Sequence, residues 1–437
     1  MQSPRGPLFE GHRFRILLGA LLALMGAEAL GIGTLWEGAL LAPISLAVLA
    51  ATLLVLARRR AVFWTALVLA LPTLREIILP SSAGLVATDL TVSSVHAPFF
   101  CFAAAALTSQ VVRSERADED TVVGSICAYL FIALAFASLY AALETWSTGA
   151  FRLGERIPGS RLFDELFYLS LVTITTLGYG DIIPVSVTAR SLITIESIFG
   201  ILFPSIVIAR IVSLATSGGG PPFAPPGPAT RRWGRFELLL AAEVAILLVA
   251  PALDDLPGAR TALTLLTTIL LVTALYAGSD RPSTRALGVA LATLALAARW
   301  WPGSGAVWLE EAGFALEAAF LALVSGSLLL WLSAEKRVTR DLLLASIGLY
   351  LLFGFAWAAA YALAELHSPG AFGTPGDASV SQPDLVYYSF MTLTTTGFGD
   401  IAPLTPIAKR LATLESLLGV LYAPVLVARL VALYGTE

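Results

Sequence analysis

Long apolar runs alternate with short polar segments along the whole chain. Each run holds about 20 residues, the length that a helix needs to cross a hydrocarbon layer about 30 Å thick. Backbone groups inside a membrane must be hydrogen-bonded within their own segment, and runs rich in leucine, alanine and valine achieve this as helices. The pattern predicts spanning helices near residues 15–34, 37–57, 61–80, 95–113, 121–145, 187–215, 235–252, 261–278, 285–301, 307–333, 341–366 and 405–434.

The second half of the chain repeats the first. The segment ITTLGYGDIIP at 174–184 returns 219 residues later as LTTTGFGDIAP at 393–403. At the same offset, LITIESIFG at 192–200 returns as LATLESLLG at 411–419. Self-similarity at a fixed offset indicates an internal duplication.

Composition and charge placement support a membrane location. Hydrophobic residues make up 57% of the 437 residues and charged residues 13%, with a mean hydropathy of +0.81. A soluble domain of this size cannot bury so much apolar surface, whereas a lipid bilayer solvates it. Arginines cluster in alternate loops, and the positive-inside rule then places both termini in the cytoplasm of a multi-pass cell-membrane protein.

Each repeat carries the pattern T-x-G-aromatic-G-D, which suits the binding of dehydrated K⁺. A selective pore must replace the hydration shell of the ion, and rings of backbone carbonyls with one threonine hydroxyl per strand do so. The glycines permit the backbone angles that aim successive carbonyls inward. An aspartate follows each motif at the expected outer mouth, Asp181 and Asp400. The expected K⁺-binding filter residues are Thr176, Leu177, Gly178, Tyr179 and Gly180 in the first repeat, and Thr395, Thr396, Gly397, Phe398 and Gly399 in the second.

These motifs resemble the signature of the tetrameric potassium-channel superfamily. The resemblance covers about the last 55 residues of each repeat well, the fifth helix loosely and the first four helices hardly at all. It implies a filter of four strands, of which one chain supplies two, and therefore a homodimer. This stoichiometry is similar to that of two-pore-domain potassium channels, although each half here has six helices, like prokaryotic six-helix potassium channels without a voltage sensor.

The expected fold is an all-α membrane protein with two tandem repeats of six transmembrane helices. Each repeat also contains a re-entrant pore helix, near 161–175 and 381–394, followed by its filter. A Gly/Pro-rich cytoplasmic linker separates the repeats. The expected bounds are 1–216 for repeat one with its pore module at about 121–216, 217–230 for the linker, and 231–437 for repeat two with its pore module at about 341–437.

The two copies of the filter are not equivalent. Phe398 lacks the phenolic hydroxyl of Tyr179, and Thr396 replaces the apolar Leu177. We expect the aromatic residue of each filter to pack behind the strand as a spacer. The second strand is then expected to be the softer one and to contribute to gating at the filter.

The last helix of each repeat contains a glycine and a proline where a pore-lining helix would bend. Gly200 and Gly419 fit either a hinge or close helix packing, and Pro204 and Pro424 favour a kink one turn later. Helical spacing predicts an apolar cavity wall, which gates by dewetting. Its expected residues are Ile201, Pro204, Ile208, Val420, Ala423 and Val427.

Glu196 and Glu415 place a carboxyl group inside each of these helices. Ionisable groups at membrane depth are costly and therefore candidates for function, here as a proton- or ion-sensing site beside the filter. The alternative is a structural carboxyl that hydrogen-bonds to pore-helix threonines such as Thr173 or Thr392, and we favour this interpretation.

Other functions fit the sequence less well. Nothing indicates an enzyme, a cofactor or a nucleic-acid partner; the expected partners are K⁺ ions, membrane lipid and a second copy. A voltage sensor needs an arginine at every third position of a spanning helix, so we expect weak voltage dependence. A non-selective cation channel, a K⁺ transporter subunit and a non-conducting sensor remain as alternatives.

Overall fold

The structure is a computed structural model. It describes residues 13–29, 41–57, 59–78, 85–114, 119–153, 162–216, 234–253, 259–278, 281–300, 307–335, 339–374 and 380–434. The predicted linker at 217–230 lies outside these residues, and the predicted repeat boundaries stay a prediction.

Both repeats have the same order of elements: four helices, a fifth helix, a two-residue strand, a short helix, the glycine-rich motif, a second two-residue strand and a long last helix. In repeat one these are α1 (Arg13–Ala29), α2 (Leu41–Leu56), α3 (Arg60–Ile78), α4 (Leu85–Val112), α5 (Glu119–Trp146), β1 (Phe151–Arg152), α6 (Leu162–Ile174), β2 (Ile183–Pro184) and α7 (Val187–Thr216). In repeat two they are α8 (Arg235–Leu253), α9 (Ala259–Ala277), α10 (Pro282–Trp300), α11 (Val307–Ala334), α12 (Arg340–His367), β3 (Phe372–Gly373), α13 (Gln382–Leu393), β4 (Ala402–Pro403) and α14 (Pro406–Tyr434).

The all-α membrane fold is confirmed. Over the described residues, five helices are long and apolar enough to span a bilayer: α5, α7, α11, α12 and α14. Further apolar helical segments of 10–17 residues lie in α2, α4 and α9. One predicted boundary was wrong, because α4 begins at Leu85 rather than at 95. Its first turns contain Asp89, Ser93 and Ser94, so hydropathy missed a segment whose backbone is nevertheless helical.

By its internal contacts the chain divides into two compact units, residues 1–174 with 206–220 and residues 175–205 with 221–437. The motif of repeat one and the first part of α7 therefore belong to the same unit as repeat two. In that unit β3 and β4 pair antiparallel, with Phe372 opposite Pro403.

An arginine near the end of each last helix binds the end of the fourth helix of its repeat. Arg210 donates to the carbonyl of Ser114 at 2.5 Å, and Arg429 donates to the carbonyls of Leu332 at 3.1 Å and Glu335 at 2.8 Å. Carbonyl groups at a helix end lack partners within the helix, and a cation suits the negative end of the helix dipole. The two arginines therefore attach the C-terminal ends of α7 and α14 to the fourth helix of each repeat.

Candidate functional site

Both glycine-rich motifs have the same alternating backbone. In the first, Thr176, Gly178 and Gly180 have φ of 57°, 55° and 75°. In the second, Thr395, Gly397 and Gly399 have φ of 58°, 58° and 76°. The residues between them keep negative φ. A β-branched residue in the left-handed region is strained, and such strain concentrates at functional sites.

A tyrosine of the fifth helix fixes the point where each motif begins. The Tyr129 hydroxyl donates to the carbonyl of Ile174 at 2.6 Å, and the Tyr350 hydroxyl donates to the carbonyl of Leu393 at 3.2 Å. Ile174 and Leu393 are the last residues of α6 and α13. These bonds satisfy carbonyls that have no partner within the short helix.

A serine holds each short helix against the fifth helix. Ser170 donates to the carbonyl of Ala133 and Ser389 to the carbonyl of Gly354, both at 2.7 Å. A Cβ at Gly354 would lie 2.5 Å from the Phe390 ring, so α12 and α13 approach closely. The short helices are thereby fixed at both their middle and their end.

The two motifs lie side by side within one unit. A Cβ placed on Gly178 would overlap the carbonyl oxygen of Thr396, and one placed on Gly180 would overlap the carbonyl oxygen of Phe398. Both positions therefore require glycine for space as well as for φ. Gly397 and Gly399 differ, because no described atom lies within 4 Å of a Cβ placed on them.

A charged cluster lies at the end of the second motif. Arg190, in the first turn of α7, forms an ion pair with Asp384, and a second of its nitrogens lies 3.7 Å from Asp400. Its guanidinium also lies 5.2 Å from the centre of the Tyr387 ring. Asp384 is in turn part of a capping box with Ser381 at the start of α13. Arg190 thus connects the start of α7 to the start of α13, through Asp384, and to the residue after the second motif, Asp400.

Asp400 is buried at this mouth between a tyrosine and an arginine. The Tyr387 hydroxyl donates to it at 3.2 Å, and a guanidinium nitrogen of Arg190 lies 3.7 Å from it. Burial raises the pKa of the Asp400 carboxyl, while Arg190 and the hydrogen bonds oppose this rise. The carboxylate is therefore held in place and is not free to rotate into the mouth.

The expectation that both aromatic residues pack behind their strands is met by only one of them in the single chain. Phe398 is buried, with 6% of its surface exposed, and Thr396 is buried and hydrogen-bonded to Thr394 at 2.9 Å. Tyr179 is 66% exposed and Leu177 is also exposed. The two filter strands therefore have different surroundings within the single chain.

The carboxyl of Glu415 is satisfied by hydroxyl groups, although not by the predicted threonine. Ser389 lies 2.5 Å from one oxygen, and the Tyr361 hydroxyl donates to the other. Thr392 was the wrong partner, because Ser389 and Tyr361 are the hydroxyls that face this carboxyl. Ser389 has one hydrogen and two acceptors, so a protonated Glu415 carboxyl satisfies all these groups at once. Glu196 is fully buried at the matching position.

The glycine of the last helix packs closely in repeat two. A Cβ on Gly419 would overlap the Leu393 carbonyl oxygen at the end of α13. This contact favours the packing interpretation over the hinge at Gly419. Pro204 and Pro424 lie inside α7 and α14, each of which is a single helix. Of the expected cavity residues, Ile208 and Val420 are exposed in the chain.

Sequence reasoning missed Arg190. The available signal was a basic residue ten positions after the last glycine of both motifs, Arg190 and Lys409. The sequence does not indicate the partner of Arg190, which is Asp384, because the two residues are 194 positions apart.

Comparison with known proteins places this site in a family. A family model described as "Ion channel" matches residues 126–217 and 347–435, which include both motifs. Protein LctB of Bacillus caldotenax is 30% identical over 108 residues, which cover 80% of that protein and 24% of this chain. The chain belongs to this ion channel family.

A plant relative of this ion channel matches over a shorter share of its length. Two-pore potassium channel 4 of Arabidopsis thaliana is 30% identical over 99 residues, covering 23% of this chain and 35% of the plant protein. No solved structure matches the chain. The protein is a tandem-repeat member of the potassium-channel superfamily, and it is a membrane channel rather than an enzyme.

Proposed function

We propose that this ion channel conducts K⁺ selectively through a filter of four strands contributed by two chains. The observation that carries the proposal is the shared backbone of the two motifs, with left-handed residues at Thr176, Gly178 and Gly180 and at their counterparts. Residues with positive and negative φ alternate along each motif. This alternation points successive carbonyl oxygens to the same side of the strand. Such a row of carbonyls replaces the water around a dehydrated K⁺ ion.

Two strands enclose only part of an ion, so the proposed pore is a homodimer with two-fold symmetry. Within one chain, the glycines of the first strand face carbonyls of the second, whereas Gly397 and Gly399 face open space. A second chain would place its first strand there and close the ring. Asp181 would then lie exposed at the outer mouth and attract cations, whereas Asp400 would brace the mouth through Arg190 and Tyr387.

We infer that conduction by this channel depends only weakly on the membrane voltage. Among the described helices, none carries an arginine at every third position. The proposed gate region of the two last helices includes Gly200, Pro204 and Pro424, whereas Gly419 packs against the end of α13. The exposed apolar residues Ile208 and Val420 would line the cavity. The proposed orientation has both termini in the cytoplasm of the cell membrane. We propose no cofactor, with K⁺ as the permeant ion.

Flux from liposomes under K⁺/Na⁺ bi-ionic conditions tests selectivity. The proposal expects a reversal potential near the K⁺ equilibrium value and block by Ba²⁺. Permeation of both ions without discrimination would favour a non-selective cation channel, with Thr396 and Phe398 as the first residues to change. An absence of Ba²⁺-sensitive flux in every tested condition would contradict conduction by this filter.

A further inference from the structure

The contacts of Arg190 define a junction between consecutive repeats within one chain. Arg190, at the start of α7 in repeat one, contacts two acids and one tyrosine of repeat two: Asp384, Asp400 and Tyr387. We call this set the intrachain junction. Its members are largely buried, and Tyr387 is only 3% exposed.

The internal duplication supplies a second set of the same groups. At the offset of 219 residues, Lys409 corresponds to Arg190, Glu165 to Asp384 and Asp181 to Asp400. Tyr168 likewise corresponds to Tyr387. In the single chain, Lys409 and Asp181 are exposed, and Tyr168 is 37% exposed. Glu165 is partly buried, as Asp384 is. The second set therefore has the same charges as the first, but its cation, its mouth acid and its tyrosine are more exposed.

We propose that Lys409 of one chain forms an ion pair with Glu165 of a second copy, so that two interchain junctions complete the outer mouth of the channel. The inference rests on the proposed dimeric pore. In a ring that alternates first and second repeats, each chain contains one junction and shares two with its partner. The sign of every charge is then the same at all four junctions.

The exposed apolar face of α14 is the kind of surface against which a second copy of the chain could pack. Its apolar window from Pro406 to Val431 is 11% buried. Exposed leucine and valine side chains follow Lys409 along this helix: Leu414, Leu417, Leu421 and Val425. The charged residue and the apolar residues thus belong to one helix that lacks the cover given to α7. A lipid-facing helix would need no acid opposite Lys409, whereas the duplication supplies one in the partner.

The two kinds of junction differ in chemistry. Arg190 contacts two carboxylates and a ring at once, which a planar guanidinium can do. Lysine is a point charge on a flexible stem, and it cannot reproduce this arrangement. The interchain junctions are therefore the weaker pair, and the first strand, with its exposed Tyr179, depends on the partner for its cover.

Cross-linking of differently tagged chains tests this inference. In a background with Cys101→Ala and Cys127→Ala, one chain carries Lys409→Cys and the other Glu165→Cys, and a short bismaleimide is added to the purified full-length protein in liposomes. We expect a product of twice the chain mass that contains both tags. The matched control is a single chain with Arg190→Cys and Asp384→Cys, which should cross-link within itself and keep the monomer mass.

Charge exchange gives a second readout. Lys409→Glu should lower the dimer fraction about tenfold, and Glu165→Lys in the same chain should restore it, whereas Lys409→Arg should keep it. Dimeric, conducting protein without the two-tag product and without charge rescue would overturn the junction while leaving the proposed pore intact. Monomeric protein without K⁺ flux in the unmodified chain would instead contradict the proposed function itself.

Discussion

The last helices of the two repeats, α7 and α14, have equivalent positions in sequence but very different surroundings. In α7, 61% of the apolar window is buried, and Arg190 at its start is held by two acids. In α14 the buried share is 11%, and Lys409 is exposed. Sequence similarity between repeats therefore does not give each repeat the same neighbours. Under the proposed dimer, a second chain would cover the exposed face of α14.

The largest expected effect concerns the tight contact that α14 makes. Gly419→Ala places a methyl group on the Leu393 carbonyl oxygen, which is backbone and cannot move aside. Overpacking typically destabilises by about 1–3 kcal/mol, and a clash with a backbone atom belongs at the upper end of this range. Thermal unfolding in detergent should show a large loss of stability. Gly326→Ala in α11 is the control, because its Cβ meets no atom within 4 Å, and equal stability of the two variants would contradict the packing interpretation.

The next effect concerns the buried acid of α14. Glu415→Leu leaves the Tyr361 hydroxyl without its acceptor, and an unsatisfied buried group costs about 1–3 kcal/mol. Glu415→Gln keeps an acceptor and should cost less. Chemical denaturation followed by tryptophan fluorescence compares the two variants.

The same glutamine variants decide whether this carboxyl senses protons. A structural carboxyl predicts that K⁺ flux of Glu415→Gln and of its repeat-one counterpart Glu196→Gln depends on pH as in the unmodified protein. Loss of a pH response in either variant would support the sensing role instead.

A smaller effect should distinguish the two basic residues. Arg190→Lys replaces a guanidinium that contacts two carboxylates by a single ammonium, and we expect a loss of about 1–2 kcal/mol. Lys409→Arg makes the reverse change at the exposed position and should not destabilise the chain. Unfolding midpoints of both variants give the comparison, and equal losses would mean that the two positions have equivalent surroundings.

The smallest effect concerns the filter strands. Phe398→Tyr adds to the second strand the hydroxyl that the first has, and one hydrogen bond of about 0.5–1.5 kcal/mol would change the open probability by a few-fold. Single-channel recording measures this change, with Tyr179→Phe as the opposite exchange. An unchanged open probability and selectivity in Phe398→Tyr would remove the support for a softer second strand.

Much of the fold follows from local sequence signals. The short helix predicted at 161–175 is Leu162–Ile174, and the one predicted at 381–394 is Gln382–Leu393. These helices are marked by apolar periodicity and by the glycines that follow, both of which act over a few residues. The strain at Thr176 and Thr395 also matches the motif, since its alternating glycines permit a backbone that threonine adopts only when held.

Long-range partners could not be predicted in the same way. The carboxyl of Glu415 faces Ser389 and Tyr361 because of how α12, α13 and α14 rotate against one another, and periodicity does not define that rotation. To predict the contact of Arg190 with Asp384, one must know that the start of α7 packs against α13 of the other repeat. The burial difference between α7 and α14 likewise depends on which elements pack against each helix, and neither helix sequence defines that packing.

Counting the chains in conducting particles tests the central claim most directly. Chains with one fluorophore each, reconstituted at low density, would be bleached one molecule at a time in vesicles that show Ba²⁺-sensitive K⁺ flux. The account predicts two bleaching steps per conducting vesicle, because two chains supply four filter strands. One step, or four steps, in the conducting vesicles would contradict a pore built from two copies of this tandem repeat.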